Sequence, residues 1–366
     1  MTKKSMFRAP RLAALAVLAM FAATDASAGL LVANSRSGSI VRFDPVLGST
    51  TTFIAAGLGG LAAPETMAYG PDGHLYVGSG SGANGAILRY DGVTGAFLGR
   101  FDQGGSLRAP SAIAFGPDGR LYVASGADDR IVRFDAASGA FVDTFATGNG
   151  TDGGLNGPRE LRFGPDGALY VATTGSVLGS FDLGLPSNVL RFDLATGAST
   201  VFVAMPAPLP SSFGFVSFEG LAFDPSGNGN LWTSDFAGGL RVYSTSPSTP
   251  GALQFLADTN YTGTVPSNNF VGDIAFFGGA LYAVGFDFTT TDPANLGSIL
   301  RFGADGAPLP GFGNGTGGLV SLNNPLLSRP ISIVAMPSTQ VPEPATWALL
   351  GLGLAGLGIA RRRRAL

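Results

Sequence analysis

The 366-residue sequence has no cysteine, a single histidine and, beyond its first four residues, no lysine. Without thiols there are no disulfides, thiolate metal sites or cysteine nucleophiles. Charged residues make up only 13% of the chain, low for a soluble protein of this length. Between residues 29 and 341 there are 14 Arg against 23 Asp and Glu, a net charge of -9, whereas the whole chain stands at -3 because cations crowd both ends. An acidic body without clustered cations is a poor partner for nucleic acid or anionic lipid, and no nucleic-acid partner is expected. The lone histidine, His74, leaves general acid-base chemistry thinly supplied. There is no G-x-S-x-G elbow, phosphate-binding loop, H-E-x-x-H helix or D-x-D-x-D-G calcium loop. The abundant residues are 56 Gly, 24 Pro and 27 Phe.

Both ends read as processing signals. Residues 1–28 combine a basic start, the apolar run LAALAVLAMFAA and the triplet Ala26-Ser27-Ala28, the layout of a secretory signal peptide cleaved by signal peptidase between Ala28 and Gly29. The run is too short for a permanent span. Near the other end, Pro342-Glu343-Pro344 precedes an apolar stretch at 347–360, and Arg361, Arg362, Arg363 and Arg364 follow at once. Such a stretch predicts a short transmembrane helix held by cytoplasmic arginines, with Trp347 at the opposite interface. V-P-E-P-A-T-W-A-L-L-G-L-G-L-A-G-L-G-I-A-R-R-R-R resembles the PEP-CTERM sorting signal of exported bacterial proteins. That resemblance implies recognition of Pro342, Glu343 and Pro344 by a membrane-embedded exosortase. It further implies transient insertion in the inner membrane and a destination at the cell surface or in an exopolysaccharide matrix.

Between the ends the chain repeats itself. Ala63-Pro64 to Tyr69, Gly70-Pro71-Asp72-Gly73 and Leu75-Tyr76-Val77 recur from Ala109-Pro110 and again from Gly157-Pro158, with weaker copies from Glu219 and Asp273. Each copy continues into a motif of the type Ile131-Val132-Arg133-Phe134-Asp135, and Asp44, Asp91, Asp135 and Asp193 stand four residues before a Gly, as turn formers do. Every unit therefore predicts four short strands, and units of about 50 residues predict a β-propeller. Counting the second halves from Ile40-Val41-Arg42-Phe43-Asp44 gives six blades over residues 29–337, with a linker and the sorting signal over 338–366. The first unit lacks an opening strand, and Arg329-Pro330 to Ala335 has the missing pattern, so the C-terminal strand is expected to close the first blade. The series is similar to the NHL-repeat propellers and their gluconolactonase-like and streptogramin-lyase-like relatives, a resemblance at the level of fold. Arg89, Arg133, Arg191, Arg241 and Arg301 occur once per unit and are expected to make a recurrent contact between blades.

Function is expected where the units differ, at the mouth of the central channel. Aligned positions there hold Glu65, Glu160, Glu219 and Asp273, which include all three glutamates between residues 29 and 341. A ring of carboxylates is competent to bind a divalent cation such as Ca2+, and gluconolactonase-like propellers do so with acidic and amide ligands. Solvated carboxylates neutralised by Arg159 are the other reading. His74 follows a G-P-D-G turn and is expected to be a solvated turn residue. Longer inserts at 173–187, 204–217, 244–251 and 286–297 are rich in Ser, Thr, Phe and Pro, the composition of a carbohydrate surface and equally of plain loops. The sequence favours a binding module without catalytic residues, associated with exopolysaccharide or surface proteins. The alternative is a metal-dependent lactonase, hydrolase or lyase at the channel mouth.

Overall fold

The computed structural model describes residues 29–104, 106–176, 184–226, 229–259, 269–287, 297–310 and 324–337. The expected signal peptide and the whole sorting signal, from the Pro-Glu-Pro triplet to the arginines, lie outside the described residues.

Six antiparallel sheets stand around one axis. Blade two is Thr66–Tyr69, Leu75–Ser79, Ala86–Tyr90 and Phe97–Arg100; blade three is Pro110–Phe115, Arg120–Ser125, Arg130–Asp135 and Phe141–Thr147. Blade four is Pro158–Phe163, Leu169–Thr173, Val189–Phe192 and Ser199–Val203; blade five is Phe218–Phe223, Leu231–Asp235, Leu240–Tyr243 and Leu253–Ala257. Blade six has Asn269–Phe277, Ala280–Asp287 and Gly297–Phe302 among the described residues. Blade one is built from both ends of the body, in the order Pro330–Ala335, Leu30–Asn34, Ser39–Asp44, Ser49–Ile54. The expected closure is thus present, with Leu30 opposite Ala335 and Val32 opposite Ile333. Asn34 adds two side-chain bonds, its Nδ2 donating to Leu326 O at 2.9 Å and its Oδ1 accepting from Ser328 N at 3.2 Å.

The sequence pattern follows from this layout. Second strands are covered by neighbouring blades on both faces, so L-Y-V-A is a continuous apolar run, whereas the outermost strands, such as Ser49–Ile54, are largely exposed. The core is six hydrophobic clusters, each filling the wedge between two adjacent blades. An aromatic pair recurs in these wedges: Tyr76 against Phe115 at 4.9 Å, Tyr122 against Phe163 at 5.3 Å and Tyr170 against Phe223 at 5.0 Å between ring centroids, all edge-on. The turns behave as their chemistry demands, with Asp44, Asp91, Asp135 and Asp193 each accepting local backbone N–H groups.

The repeated arginines correct an expectation. Arg133 pairs with Asp143 at 2.6 Å and Arg191 with Asp166 at 2.8 Å, in each case within its own blade. Arg89 likewise approaches Asp72 of its own blade at 4.0 Å. The contact between blades is the aromatic pair. Arg241 is not part of the series at all. Arg89, Arg133, Arg191 and Arg301 lie opposite a tyrosine, but Arg241 lies opposite Thr233 while Val242 faces Trp232. That shift of one residue turns Arg241 to the other face of its sheet, where it is buried.

Alternation of strand direction sorts the connections. Inner strands start at one face, the mouth face, and end at the G-P-D-G turns of the opposite, turn face. The inserts at 173–187, 204–217 and 286–297 connect strands at the mouth face, whereas 244–251 joins the third and fourth strands of blade five at the turn face. Gly29 and Met336, whose N–H donates to Gly29 O at 2.8 Å, also lie at the turn face, so the described body ends opposite its mouth.

Candidate functional site

The second residue of the inner strand is bulged in blades three, four and five, where the register slips at Pro110/Ala112, Pro158/Glu160 and Phe218/Gly220. The closing strand slips at the same place, opposite Ala33/Asn34. A bulge re-aims the side chain it releases. The released residues are Ser111, Arg159, Glu219 and Ile331, joined in blade six by Gly272 and Asp273, where the register slips between Val271 and Ile274. Ahead of them, Ala63, Ala109 and Arg329 hold φ of 42°, 47° and 51° directly before a proline, a left-handed conformation that concentrates backbone strain around the mouth.

Glu65, Glu160, Glu219 and Asp273 do converge on the axis, in two tiers with an arginine in each. In the outer tier Arg159 donates through Nη2 to Glu65 at 2.8 Å and through Nε to Glu219, tying blade four to blades two and five. In the inner tier Arg162 pairs through Nη1 with Glu160 at 2.6 Å and through Nη2 with Asp273 at 3.6 Å, and its Nε donates to Leu221 O at 3.1 Å. Asp273 Oδ2 also accepts from Ser332 Oγ and Ile333 N of the closing strand, both at 3.3 Å. Ring closure is therefore coupled to the axial charges.

Burial raises the pKa of Glu160 well above 4.5, against the lowering charge of Arg162 and with the help of Asp273. Burial likewise raises Glu219 against Arg159, and Asp273 against Arg162. Desolvation acts to lower the pKa of Arg159, but the charges of Glu219 and Glu65 outweigh it and the pKa rises, which keeps the guanidinium charged. Among the described residues no three His, Asp or Glu side chains group as metal ligands. The four carboxylates that the sequence offered for a divalent cation each have a guanidinium as partner.

An aromatic cluster adjoins the outer tier. Phe236, in the turn after the second strand of blade five, stacks on Phe270 at 4.0 Å. Phe270 meets Phe213 and Phe286, both at 5.6 Å. Arg329 joins the two parts, its guanidinium 5.7 Å from the Phe286 ring while its charge acts on Glu219. Phe213 belongs to the insert at 204–217, which is fastened from below: Arg241 pairs with Asp235 at 2.7 Å and donates through Nη2 to Ala207 O at 3.1 Å. Asp235 in turn accepts Ser217 N at 2.9 Å. His74 sits in its G-P-D-G turn, N–H on Asp72 at 3.1 Å, at the turn face and away from the mouth. A groove of about 470 Å³ lies between blades three and four, lined by Phe145, Asn149, Thr151, Gly154, Phe192 and Ser199, apart from the axial site.

Arg162 and the aromatic cluster went unread in the sequence. Arg162 had a signal: its aligned positions hold Ala68, Ala114, Ala222 and Ala275, so a lone arginine stands in a ring of alanines. The cluster had none, because its rings come from two connections of blade five and from two strands of blade six that are far apart in the chain.

Residues 340–364 match the PEP-CTERM protein-sorting motif, and residues 52–90 match the N-terminal region of strictosidine synthase-like proteins. No curated protein matches the chain. Among solved structures, a nidogen/laminin complex aligns at 15% identity over 85% of this chain and 99% of that one, with a TM-score of 0.59. A protein from Lactobacillus plantarum aligns at 16% identity over 84% and 99%, with a TM-score of 0.55. A streptogramin B lyase aligns at 16% identity over 77% and 82%, with a TM-score of 0.48. At such identities the likeness is one of fold. The sorting motif marks this propeller for exosortase processing, and with it for export and a cell-envelope or surface destination.

Proposed function

We propose that the chain is a surface-displayed carbohydrate-binding propeller, its mature body spanning 29–337 after cleavage at Ala28 and exosortase recognition of Pro342-Glu343-Pro344. The observation that carries this reading is the mouth face itself, where Phe213, Phe236 and Phe270 adjoin the Glu65-Arg159-Glu219 bridge. Aromatic faces take the apolar faces of sugar rings, while paired carboxylate and guanidinium groups exchange hydrogen bonds with hydroxyls. The described body ends at the turn face, opposite the mouth, which leaves the mouth clear of the point where the anchoring tail begins. The exopolysaccharide of the producing cell is the ligand class. Against the hydrolase or lyase alternative, a divalent cation at the mouth faces the charges of Arg159 and Arg162 before it meets a free carboxylate.

Affinity electrophoresis of the 29–337 body in gels containing that polysaccharide, run with Ca2+ and with chelator, separates the two. Retardation that is independent of the chelator supports the binding reading. Absence of retardation together with Ca2+-dependent hydrolysis of lactones or glycosides overturns it.

A further inference from the structure

Away from the axis, a buried carboxylate lacks a cation. In blade three the turn between the second and third strands ends at Asp128 and Asp129. Asp128 is fully engaged, bonded to Arg108 at 3.1 Å, Arg130 at 2.7 Å and Ser125 at 3.0 Å. Asp129 turns the other way. It has φ 51°, is 1% exposed, and places Oδ1 on Gly157 N at 2.7 Å while Oδ2 has no partner. The residue just before Gly157 is Asn156, 0% exposed, whose Nδ2 donates to Thr151 O at 2.7 Å and whose Oδ1 also has no partner. Two orphan oxygens thus flank one peptide unit, and with Asp129 ionised both are acceptors, so neither satisfies the other. A desolvated acceptor left unpaired costs on the order of a kcal/mol or more, and a desolvated charge costs more.

The loop around them is shaped to surround something. The segment 148–157, G-N-G-T-D-G-G-L-N-G, folds back on Asp129 through Gly148 N to Asp129 O at 2.6 Å and closes on itself through Gly154 N to Thr151 O at 3.1 Å. A β-carbon on Gly148 would lie 2.1 Å from Leu155 O and 2.8 Å from Asp129 Cβ, so only glycine permits the closure. The two unsatisfied atoms are one carboxylate oxygen and one side-chain amide oxygen, both hard ligands.

We propose that Asp129 Oδ2 and Asn156 Oδ1 are ligands of a buried Ca2+-type cation that ties the loop 148–157 to blade three. The site is distinct from the axial carboxylates. Its single carboxylate places it among the weak, extracellular class of calcium sites, with dissociation constants of roughly 0.1 to 1 mM. Because Gly157 leads directly into Pro158 and Arg159, the cation would stiffen the approach to the mouth.

Thermal melting of the full 29–337 body, stripped with chelator and then titrated with CaCl2, MgCl2 or NaCl at matched ionic strength, tests the site. The expected result is a saturable rise in Tm with CaCl2 of about 2 °C at roughly ten times the dissociation constant. MgCl2 and NaCl should produce a smaller rise. Asp129→Asn keeps the shape and removes the charge, and Asp128→Asn is the neighbouring control. D129N should fold and lose the Ca2+ response, while D128N should keep it. Equal melting with and without CaCl2 in the wild type, or an undiminished response in D129N, overturns the assignment and leaves an internal water between the two oxygens.

Discussion

Arg162 is the residue on which the axis depends. It stands where four other blades have alanine, and it is the cation between two carboxylates that are 3% and 4% exposed. Removing it leaves those charges buried without a partner, so Arg162→Met should cost about 3–5 kcal/mol by chemical denaturation. The triple variant Arg162→Met, Glu160→Gln, Asp273→Asn should recover most of that loss. A single variant as stable as wild type would show that the inner tier does not carry its charges in pairs. Glu160 also sets a pH dependence. Burial raises its folded-state pKa above the ordinary 4.5, so the folded chain holds that proton more tightly than the unfolded one. The stabilisation from this group is full below about 4.5 and is lost as pH rises through the folded value, a slope of about 1.4 kcal/mol per unit of pH for one proton. Aspartates such as Asp91 and Asp193, held below 3.8 chiefly by backbone hydrogen bonds, act in the opposite sense and lose their contribution only as pH falls below 3.8. Melting temperature should therefore decline as pH rises above about 4.5 in the wild type and flatten in Glu160→Gln. An unchanged decline in that variant would assign it to Asp273 or Glu219.

At the scale of elements, most of the architecture was legible because it repeats. G-P-D-G followed by L-Y-V-A, then I-V-R-F-D, gives turn, buried strand and half-buried strand in a fixed order, and the orphan strand Pro330–Ala335 gave the closure away. The bulges were not legible, since a register slip at Arg159 or Glu219 depends on the pairing of two strands and leaves no mark in composition. Without the slips, Glu65, Glu160, Glu219 and Asp273 read as one ring. With them, Arg159 and Arg162 divide the acids into two tiers. The closing strand offers a direct test of the ring. A 29–329 fragment removes Pro330–Ala335, leaves Leu30–Asn34 with one edge unpaired and takes Ser332 and Ile333 from Asp273. It should aggregate or melt far below the 29–337 body in calorimetry. Cooperative unfolding of that fragment at the parent temperature would show that the ring closes without its last strand.

At the scale of the molecule, topology places the departure of the tail and the proposed binding site on opposite faces. Sorting acts on a tail that departs from the turn face, and ligand binding is assigned to the mouth face, so the two should separate genetically. Replacing Pro342-Glu343-Pro344 by three alanines should leave insertion by residues 347–360 and the four arginines intact. The full-length protein should then accumulate in the inner membrane, whereas the wild type should appear shortened at the surface, as immunoblots of cell fractions would show. A triplet variant cut and released like wild type in an exosortase-bearing host would replace the sorting reading with a simple tail anchor. The central claim, that the mouth face binds a surface glycan, is tested most directly by the affinity of purified 29–337 body for the producing cell's polysaccharide. That affinity should be compared among the wild type, Phe236→Ala with Phe270→Ala at the mouth, and Val46→Ala with Leu47→Ala at exposed positions of the turn face. The account predicts a fall of tenfold or more in the mouth variant at unchanged fold, about 1.4 kcal/mol of lost binding, and no change in the turn-face variant. Equal affinity in all three proteins, with circular dichroism and melting intact, would contradict it.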